Sequence, residues 1–216
     1  MVKQIVFDHL LEAKTKYPKL TELTDAGKFY RVNGSIDVVD DEGGCWDTYD
    51  VAILIPLNYP DSLPLLIETS HKIKRDSNWH INKEGECCLS TNAKMYYDLK
   101  GKITLLNWLD KFAHPYLANH VYKIKTGSYA NEEFSHGDAG VFEGWKKIFQ
   151  TEDRNQILLY LKQMIGVKRL ALNRLCFCGS GKKYKRCYLS NPEVHLLNIP
   201  AAQIVNDIKA ITGINM

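Results

Sequence analysis

Hydrophobic positions in the first third of the chain predict one helix followed by an antiparallel meander. Apolar residues recur at helical spacing over residues 5–13, and Tyr17-Pro18 predicts the end of that helix because proline disfavours helical backbone before it. Apolar and polar residues then alternate over 29–39 and 49–55, as in half-buried strands. A short apolar run at 65–69 predicts a further strand. This order of elements favours the α+β class.

Helical periodicity returns in the second half. Leucines and an aromatic residue predict a helix from Thr104 to Tyr116, with Thr104 as its N-cap. A second helix is predicted from Gln156 to Leu175, and a last one from Ala201 to Ile211 after Pro200. Residues 125–140 are rich in Gly, Ser, Asn and acidic side chains, so we expect an ordered loop there.

Charge divides the chain near residue 150. Residues 1–150 carry a net charge of −3 and residues 151–216 one of +6, within a total of +3. We therefore expect two units, a domain at 1–150 and a helical extension at 151–216. Six excess positive charges are modest, so a solvated basic face is favoured over nucleic-acid binding.

No segment has the apolar length of a membrane span. The longest unbroken apolar stretch, Val51–Leu57, has seven residues, whereas a span needs about 20. Lysines and acidic residues interrupt the apolar positions of the N-terminus, so no secretory signal is expected. The expected location is therefore cytoplasmic, where the six cysteines serve as thiols or metal ligands.

The irregular segment from Ser77 to Ser90 is the first candidate site, because it holds adjacent thiols at Cys87 and Cys88. A cysteine thiolate is a strong nucleophile. Nearby, His80 has the chemistry to move protons, and the Asn82 amide has the chemistry to donate to an oxyanion. Buried structural thiols beside a surface histidine and asparagine explain the same residues equally well.

The order of motifs around this segment resembles the ubiquitin-conjugating-enzyme (UBC) family. That family carries P-x-x-YP-x-x-x-P, then a His-Pro-Asn tripeptide, then G-x-[hydrophobic]-C-L. The matching positions are Pro56, Tyr59, Pro60, Pro64, Gly85, Cys88 and Leu89. The resemblance covers about residues 1–120, including a helix that carries Trp108. Two features depart from it: the tripeptide is His80-Ile81-Asn82, and the interval from Asn82 to Cys88 is two residues shorter than in eukaryotic members.

This resemblance implies an α+β fold, with a UBC-like meander sheet flanked by helices, and a transferase activity. Cys88 would carry the C-terminal glycine of a ubiquitin-like partner as a thioester and pass it to a lysine. Asn82 would steady the oxyanion, a contribution of about 3 kcal/mol where such donors are well placed, and His80 would be mostly structural. Asp98 matches the family's acidic gate only by proximity, and a solvated charge explains it better.

Cys87, beside the implied nucleophile, has two interpretations. Neighbouring residues of an extended chain point to opposite sides, which favours a core position for Cys87. The alternative is a redox or acyl-shuttling pair with Cys88.

Bacterial members of the family imply a more specific role. Stand-alone conjugating enzymes occur in antiphage operons of the cyclic-oligonucleotide type (CBASS), where the conjugated protein is a cGAS-like nucleotidyltransferase. The run Glu133-x-x-His136-Gly137-x-x-Gly140 is similar to a stretch in such members, although a turn that starts a helix explains it equally. The implied partner is a protein that presents a C-terminal glycine, and the implied role is antiviral defence.

The C-terminal cysteines form the most specific short motif. Cys176-x-Cys178 is followed by a Gly-Ser-Gly turn and, after eight intervening residues, by Cys187. Zinc prefers four Cys or His ligands in a tetrahedron, and such a turn lets the chain double back to supply them. The run, about 174–195, resembles the SEC-C zinc motif first recognised in the preprotein translocase ATPase, which implies a structural Zn²⁺.

The fourth zinc ligand has three interpretations. Position 188 is tyrosine, where the motif has Cys or His. His195 is the favoured replacement. The alternatives are three thiolates with a water, and loss of the metal.

Three functions are therefore open. The leading hypothesis is a UBC-like acyl carrier with a zinc-stabilised C-terminal module. The second is a catalytically inactive adaptor of the same fold, supported by the two departures around Asn82. The third is a zinc-motif protein that binds nucleic acid or another partner.

Overall fold

The computed structural model divides into two compact units. The first comprises Met1–Ser90 with Lys102–Glu133, and the second comprises Thr91–Gly101 with Phe134–Met216. The division at residue 150 that the charge asymmetry predicts stays a prediction. The structure describes residues 2–40, 42–101, 103–131, 134–165, 173, 175–176, 180–187 and 198–213.

The first unit contains a helix and an antiparallel sheet in which four strands are described. Helix α1 spans Val2–Lys14 and ends before Tyr17-Pro18, as predicted. The strands are β1 (Leu20–Asp25), β2 (Phe29–Val39), β3 (Cys45–Pro56) and β4 (Leu65–Glu68). Their order in the sheet is β1-β2-β3-β4. The predicted α+β class and antiparallel meander are confirmed.

One face of the sheet forms the core because side chains alternate along each strand. The buried positions of β2 and β3 on this face are Tyr30, Val32, Ile36, Val38, Tyr49, Val51, Ile53 and Ile55. Strand β4 continues the same face, since Leu66 pairs with Ile53 and Glu68 pairs with Val51. The Glu68 carboxylate thus faces the core, where a buried charge needs a counter-charge or hydrogen bonds to offset the loss of hydration.

Strand β1 was not predicted from the sequence. It pairs with β2, which runs unbroken through Asn33-Gly34. A Cβ at Gly34 would lie 2.4 Å from the carbonyl oxygen of Lys19 and 2.7 Å from Cα of Leu20. Glycine therefore permits the close approach of the chain that enters β1.

One helical run flanks the sheet of the first unit. It comprises α3 (Leu105–Trp108), a π-helical turn (Leu109–Ala113) and α4 (His114–Thr126). Thr104 Oγ1 accepts the backbone N–H of Asn107 at 3.1 Å, which confirms the predicted cap. The predicted end at Tyr116 is wrong. The helix continues to Thr126 and ends at Gly127, whose left-handed backbone is favourable for glycine.

The second unit is helical in the part that the structure describes. Its helices are α2 (Asn92–Leu99), α5 (Gly137–Phe149), α6 (Arg154–Ile165), α7 (Tyr184–Cys187) and α8 (Ala201–Thr212). Helix α8 confirms the predicted last helix, and α6 confirms the start of the one before it. Residues 166–172 and 174 of that prediction lie outside the described residues. The loop predicted at 125–140 is shorter, because α4 extends to 126 and α5 begins at 137.

Trp145 on α5 occupies the core of the second unit. It is fully buried, and its Nε1 donates a hydrogen bond of 2.9 Å to Asp207 on α8. The Trp145 ring stacks on Phe149 with centroids 5.2 Å apart, and Phe149 meets Tyr160 edge-on. Helices α5, α6 and α8 therefore share one aromatic core.

Candidate thiol site

The predicted irregular loop is a small hairpin fastened to β4, here named the thiol hairpin (residues 80–88). Ile81 forms an antiparallel bridge with Cys87. The turn is closed by the N–H of Gly85, which donates 3.1 Å to the carbonyl of Asn82. Cys87 N donates to the carbonyl of Leu66 at 2.9 Å. The hairpin is therefore held by the edge of the sheet.

A buried ion pair supports the turn of this hairpin. Arg75 Nη1 lies 2.5 Å from Glu68 Oε2, and Arg75 Nη2 donates 2.6 Å to the carbonyl oxygen of Glu68. The Ser70 hydroxyl also donates to the Glu68 carboxylate. A Cβ at Gly85, whose φ is +87°, would lie 2.6 Å from the Glu68 carbonyl oxygen and 3.0 Å from Arg75 Nη2. Only glycine lets the turn approach the ion pair this closely.

The two adjacent cysteines occupy different environments. Cys87 is 7% exposed, and burial raises the pKa of its thiol to about 12. Cys88 is exposed. Partial enclosure of its thiol, and then the negative charge of Glu86, raise the pKa of Cys88 above its ordinary value. The predicted core position of Cys87 is confirmed, and Cys88 presents a protonated thiol at neutral pH.

His80 contributes its backbone to the site. Its left-handed conformation ends a short 3₁₀ turn, Ser77–Trp79. Its carbonyl accepts the N–H of Cys88 at 2.7 Å and the hydroxyl of Tyr116 at 3.0 Å. Its ring meets Tyr129 edge-on, with centroids 5.8 Å apart. His80 thus takes part in the framework of the hairpin, and its predicted role stays a prediction.

Asn82 faces Glu86 across the hairpin. Its Oδ1 accepts the N–H of Glu86 at 2.9 Å, and its Nδ2 donates to Glu86 Oε2 at 3.3 Å. The side chain is exposed. The bond to Glu86 uses one of the two amide N–H donors. Asn82 therefore stabilises the turn, and its predicted role toward an oxyanion stays a prediction.

An aromatic cluster packs around the start of the hairpin. His120 is fully buried, stacks on Trp79 and meets Tyr116 and Tyr129 edge-on. Burial, and then the charge of Lys123, lower the pKa of His120 to about 3, so this imidazole is neutral near pH 7. Lys123 Nζ lies 3.7 Å from the Tyr129 ring centroid. The cluster fixes the backbone from which the hairpin departs.

Sequence reasoning missed four residues that build this site: Glu68, Arg75, Glu86 and Tyr116. One signal was available for Glu68, since alternation places it on the same face as Leu66. Alternation also places Glu86 and Cys88 on one side of an extended chain. The partners Arg75 and Tyr116 carry no local signal, because they reach the site from other elements.

Two weaker site predictions have simple structural explanations. Asp98 lies on α2 and forms an ion pair with Lys94, one helical turn earlier. His136 is the N-cap residue of α5, and Gly137 follows with left-handed backbone. These features agree with the helix-start interpretation of that run, whose Glu133 lies outside the described residues.

The C-terminal cysteine segment doubles back as its glycines predict. Leu175 forms an antiparallel bridge with Lys183, and Cys176 N donates 2.7 Å to the carbonyl of Lys182. Cys187 ends α7, and its Sγ lies 3.3 Å from the hydroxyl of Ser180. Cys176 and Cys187 are thus the two described thiols of this segment, and thiolate is a ligand type that zinc prefers.

Other predicted ligands of this segment cannot be placed, because Cys178 and His195 lie outside the described residues. Within the described ranges, no three His, Cys, Asp or Glu side chains cluster as metal ligands. No disulfide joins any two of the described cysteines, which are Cys45, Cys87, Cys88, Cys176 and Cys187.

Comparison with known proteins gives one match. Residues 173–187 match the SEC-C motif, which confirms the predicted resemblance of the C-terminal cysteines. No curated protein and no solved structure matches the chain. No helix in the described part of the chain is both long enough and apolar enough to cross a membrane.

Proposed function

We propose that this chain is a UBC-like acyl carrier that uses Cys88 as its nucleophile. The observation that carries the proposal is the contrast between the two thiols, since Cys87 is buried in the core and Cys88 is exposed on a hairpin fastened to a sheet. A structural cysteine has no need of such presentation. The meander sheet, its N-terminal helix and the motif run around Cys88 support the same family resemblance.

The proposed reaction has two steps. The Cys88 sulfur attacks the activated C-terminal glycine of a partner protein, so that an S–C bond forms and the previous leaving group departs. A lysine amine then attacks the thioester carbonyl, the C–N bond forms, and the C–S bond breaks. The exposure of Cys88 lets both a peptide tail and an amine approach. The hydrogen bond that the Cys88 N–H donates to the His80 carbonyl fixes the backbone from which the thiol projects.

The test is covalent capture in cells that express the tagged chain, with analysis under denaturing conditions without thiols. We expect an adduct that hydroxylamine cleaves, as thioesters require, and that is lost in Cys88→Ala. The matched control is Cys45→Ala, which removes another exposed thiol of the first unit. An adduct that survives Cys88→Ala would contradict the nucleophile assignment.

The proposed partner is a protein with a C-terminal glycine, and a cGAS-like nucleotidyltransferase of an antiphage operon is the candidate from the family resemblance. The corresponding role is bacterial antiviral defence in the cytoplasm. Peptide mapping of the adduct identifies the partner. A partner chain that does not end at glycine would contradict this part of the proposal.

A non-catalytic adaptor is the second candidate function. It is favoured by the Asn82 amide, which donates to Glu86 within its own turn. It is also favoured by the raised pKa of Cys88, because a protonated thiol attacks poorly. An adaptor forms no adduct in the capture experiment, yet copurifies its partner equally with the wild-type chain and with Cys88→Ala.

We propose that the SEC-C segment binds one structural zinc through Cys176, Cys178, Cys187 and His195. Only one described bridge, between Leu175 and Lys183, pairs the two arms of this segment. A hairpin this short has little stability of its own, and a bound ion would add to it. When bound, zinc contributes tetrahedral cross-linking. This proposal is independent of the chemistry at Cys88.

Zinc content tests the ligand set. We expect one zinc per chain in the wild-type protein. His195→Gln should retain zinc more weakly, because it lacks one of the four proposed ligands. Cys176→Ser and Cys187→Ser should each lose the ion, measured by elemental analysis after exchange into buffer with a weak chelator. Cys45→Ser is the matched control and should keep one zinc. A zinc content unchanged by Cys176→Ser would contradict the site.

A further inference from the structure

Glu86 and Cys88 lie two residues apart on one strand of the thiol hairpin, so strand alternation puts their side chains on the same side. The bridge between Ile81 and Cys87 places the flanking residues opposite each other, with Asn82 facing Glu86 and His80 facing Cys88. Because side chains alternate, Glu86 and Cys88 project to the side away from buried Cys87. Burial first, and then the negative charge of Glu86, raise the pKa of the Cys88 thiol, which agrees with this placement.

Two bonds hold the Glu86 residue in place. Its N–H donates to Asn82 Oδ1, and its Oε2 accepts from Asn82 Nδ2. The second bond leaves the carboxylate further acceptor positions. Asn82 thus orients Glu86, and the hairpin carries an oriented carboxylate on the same side as the Cys88 sulfur.

We propose that Glu86 is a catalytic proton shuttle for acyl transfer from Cys88, taking a proton from the attacking amine and giving it to the departing sulfur. This inference rests on the proposed function of Cys88. As the amine nitrogen bonds to the thioester carbonyl carbon, its extra proton passes to the Glu86 carboxylate. As the C–S bond breaks, that proton passes to sulfur. The products are an amide and a neutral thiol, and Glu86 is regenerated.

The electrostatics of the site suit this direction of transfer. A nearby negative charge disfavours a thiolate, so the sulfur leaves best as a thiol, which requires a proton donor at the same place. Two further titratable residues contact this part of the hairpin within the described residues: His80 on the facing strand, and Tyr116 from α4, whose hydroxyl donates to the His80 carbonyl. Burial raises the pKa of the Tyr116 hydroxyl far above neutral pH, so Tyr116 does not accept protons there. The His80 carbonyl accepts the Cys88 N–H, while the His80 ring meets Tyr129 edge-on with centroids 5.8 Å apart.

The test compares Glu86→Gln with Glu84→Gln in the full chain. Glu84 is an exposed carboxylate in the turn of the same hairpin, so its variant changes the net charge equally. Each protein is loaded at Cys88 by exchange with a small glycyl-glycine thioester, and discharge to free lysine is followed by intact mass. Peptide mapping assigns the adduct, because Cys45 is also exposed. A second measurement follows the pH dependence of iodoacetamide alkylation at Cys88.

The two measurements should move in opposite directions. In Glu86→Gln we expect Cys88 to be alkylated at lower pH, because the negative charge that disfavours its thiolate is gone. We also expect discharge to lysine to be at least about 10-fold slower, since general acid–base groups raise reaction rates by about 10²- to 10⁴-fold. Glu84→Gln should match the wild type in both. A group that only holds the fold would not accelerate alkylation while slowing discharge.

Contradicting outcomes are separable from failure of the proposed function. If the wild-type chain loads at Cys88 and Glu86→Gln discharges as fast as it does, the shuttle is wrong and the acyl carrier stands. If alkylation has the same pH dependence in Glu86→Gln and wild type, Glu86 does not face the thiol and the shuttle is also wrong. If wild-type Cys88 does not load at all, the acyl carrier itself fails.

Discussion

Each of the two compact units buries one carboxylate in its described part, and the two are compensated differently. Glu68, on the core face of the sheet, pairs with the Arg75 guanidinium and accepts further hydrogen bonds. Asp207, on α8, accepts from the neutral donors Trp145 Nε1 and Gln203 Nε2. The first carboxylate has a counter-charge, whereas the described hydrogen bonds of the second come from neutral groups.

The two buried charges therefore differ in their effect on stability. The Glu68 carboxylate supports the thiol hairpin, whereas the Asp207 carboxylate destabilises the second unit when it is ionised. Burial raises the pKa of Asp207 to about 6, and the bonds from Trp145 and Gln203 only partly oppose that rise. The Glu68–Arg75 pair, by contrast, packs against the turn at Gly85 and so supports the thiol hairpin. Removing a partner from Glu68 should therefore lower the stability of the first unit, while neutralising Asp207 should raise the stability of the second unit.

The largest expected effect comes from Arg75→Met, which leaves the Glu68 carboxylate buried without its cation. Breaking a buried ion pair from one side costs about 3–5 kcal/mol, so we expect a loss of that size in the free energy of unfolding of the first unit. Urea denaturation followed by hydrogen exchange of β3 and β4 amides measures it. The N–H of Cys88 should also lose protection, because the hairpin depends on the pair.

An exposed ion pair on the same sheet provides the control. Lys19 lies 2.7 Å from Asp37, with side chains 54% and 30% exposed. Lys19→Met should change stability far less than Arg75→Met does, since exposed pairs contribute little. Equal effects of Arg75→Met and Lys19→Met on stability would show that burial does not distinguish the two ion pairs. They would also contradict the inference that the Glu68–Arg75 pair supports the hairpin.

What the sequence predicts here depends on how far apart the interacting residues lie. Alternation is local, so it correctly places Cys87 in the core, and Thr104 was recognisable as a cap from its own position. The compensation of the two carboxylates is not local. Arg75 reaches Glu68 across a loop, and Trp145 reaches Asp207 from another helix.

The missed elements have the same cause. Strand β1 has weak alternation of its own and is defined by pairing with β2, at a place where Gly34 lets the chain approach. The helical spacing recognised in the sequence ended at Tyr116, yet α4 continues to Thr126, and Pro115 is tolerated because it lies in the first turn of that segment. In both cases a neighbouring element decides what the local sequence leaves open.

The smaller expected effect, and the sharper test of the comparison, is Asp207→Asn. The folded pKa of Asp207, about 6, lies above the ordinary value near 3.9. Its contribution to stability is therefore fully present below about pH 4 and is lost as the pH rises to about 6. Two pKa units correspond to about 3 kcal/mol, so Asp207→Asn should stabilise the second unit by up to that amount at pH 8 and very little at pH 4. Hydrogen exchange of α5 and α8 amides measures both.

The geometry explains why asparagine should be accepted at this position. One amide oxygen continues to accept from Trp145 Nε1, and the new N–H₂ group faces Gln203, whose own amide can rotate to present its oxygen. Asp50→Asn, at an exposed carboxylate that accepts from the Ser35 hydroxyl, is the matched control and should change stability by less than about 0.5 kcal/mol at either pH. If Asp207→Asn destabilises the second unit at pH 8, the charged form is favoured there, and the two buried carboxylates are compensated alike after all.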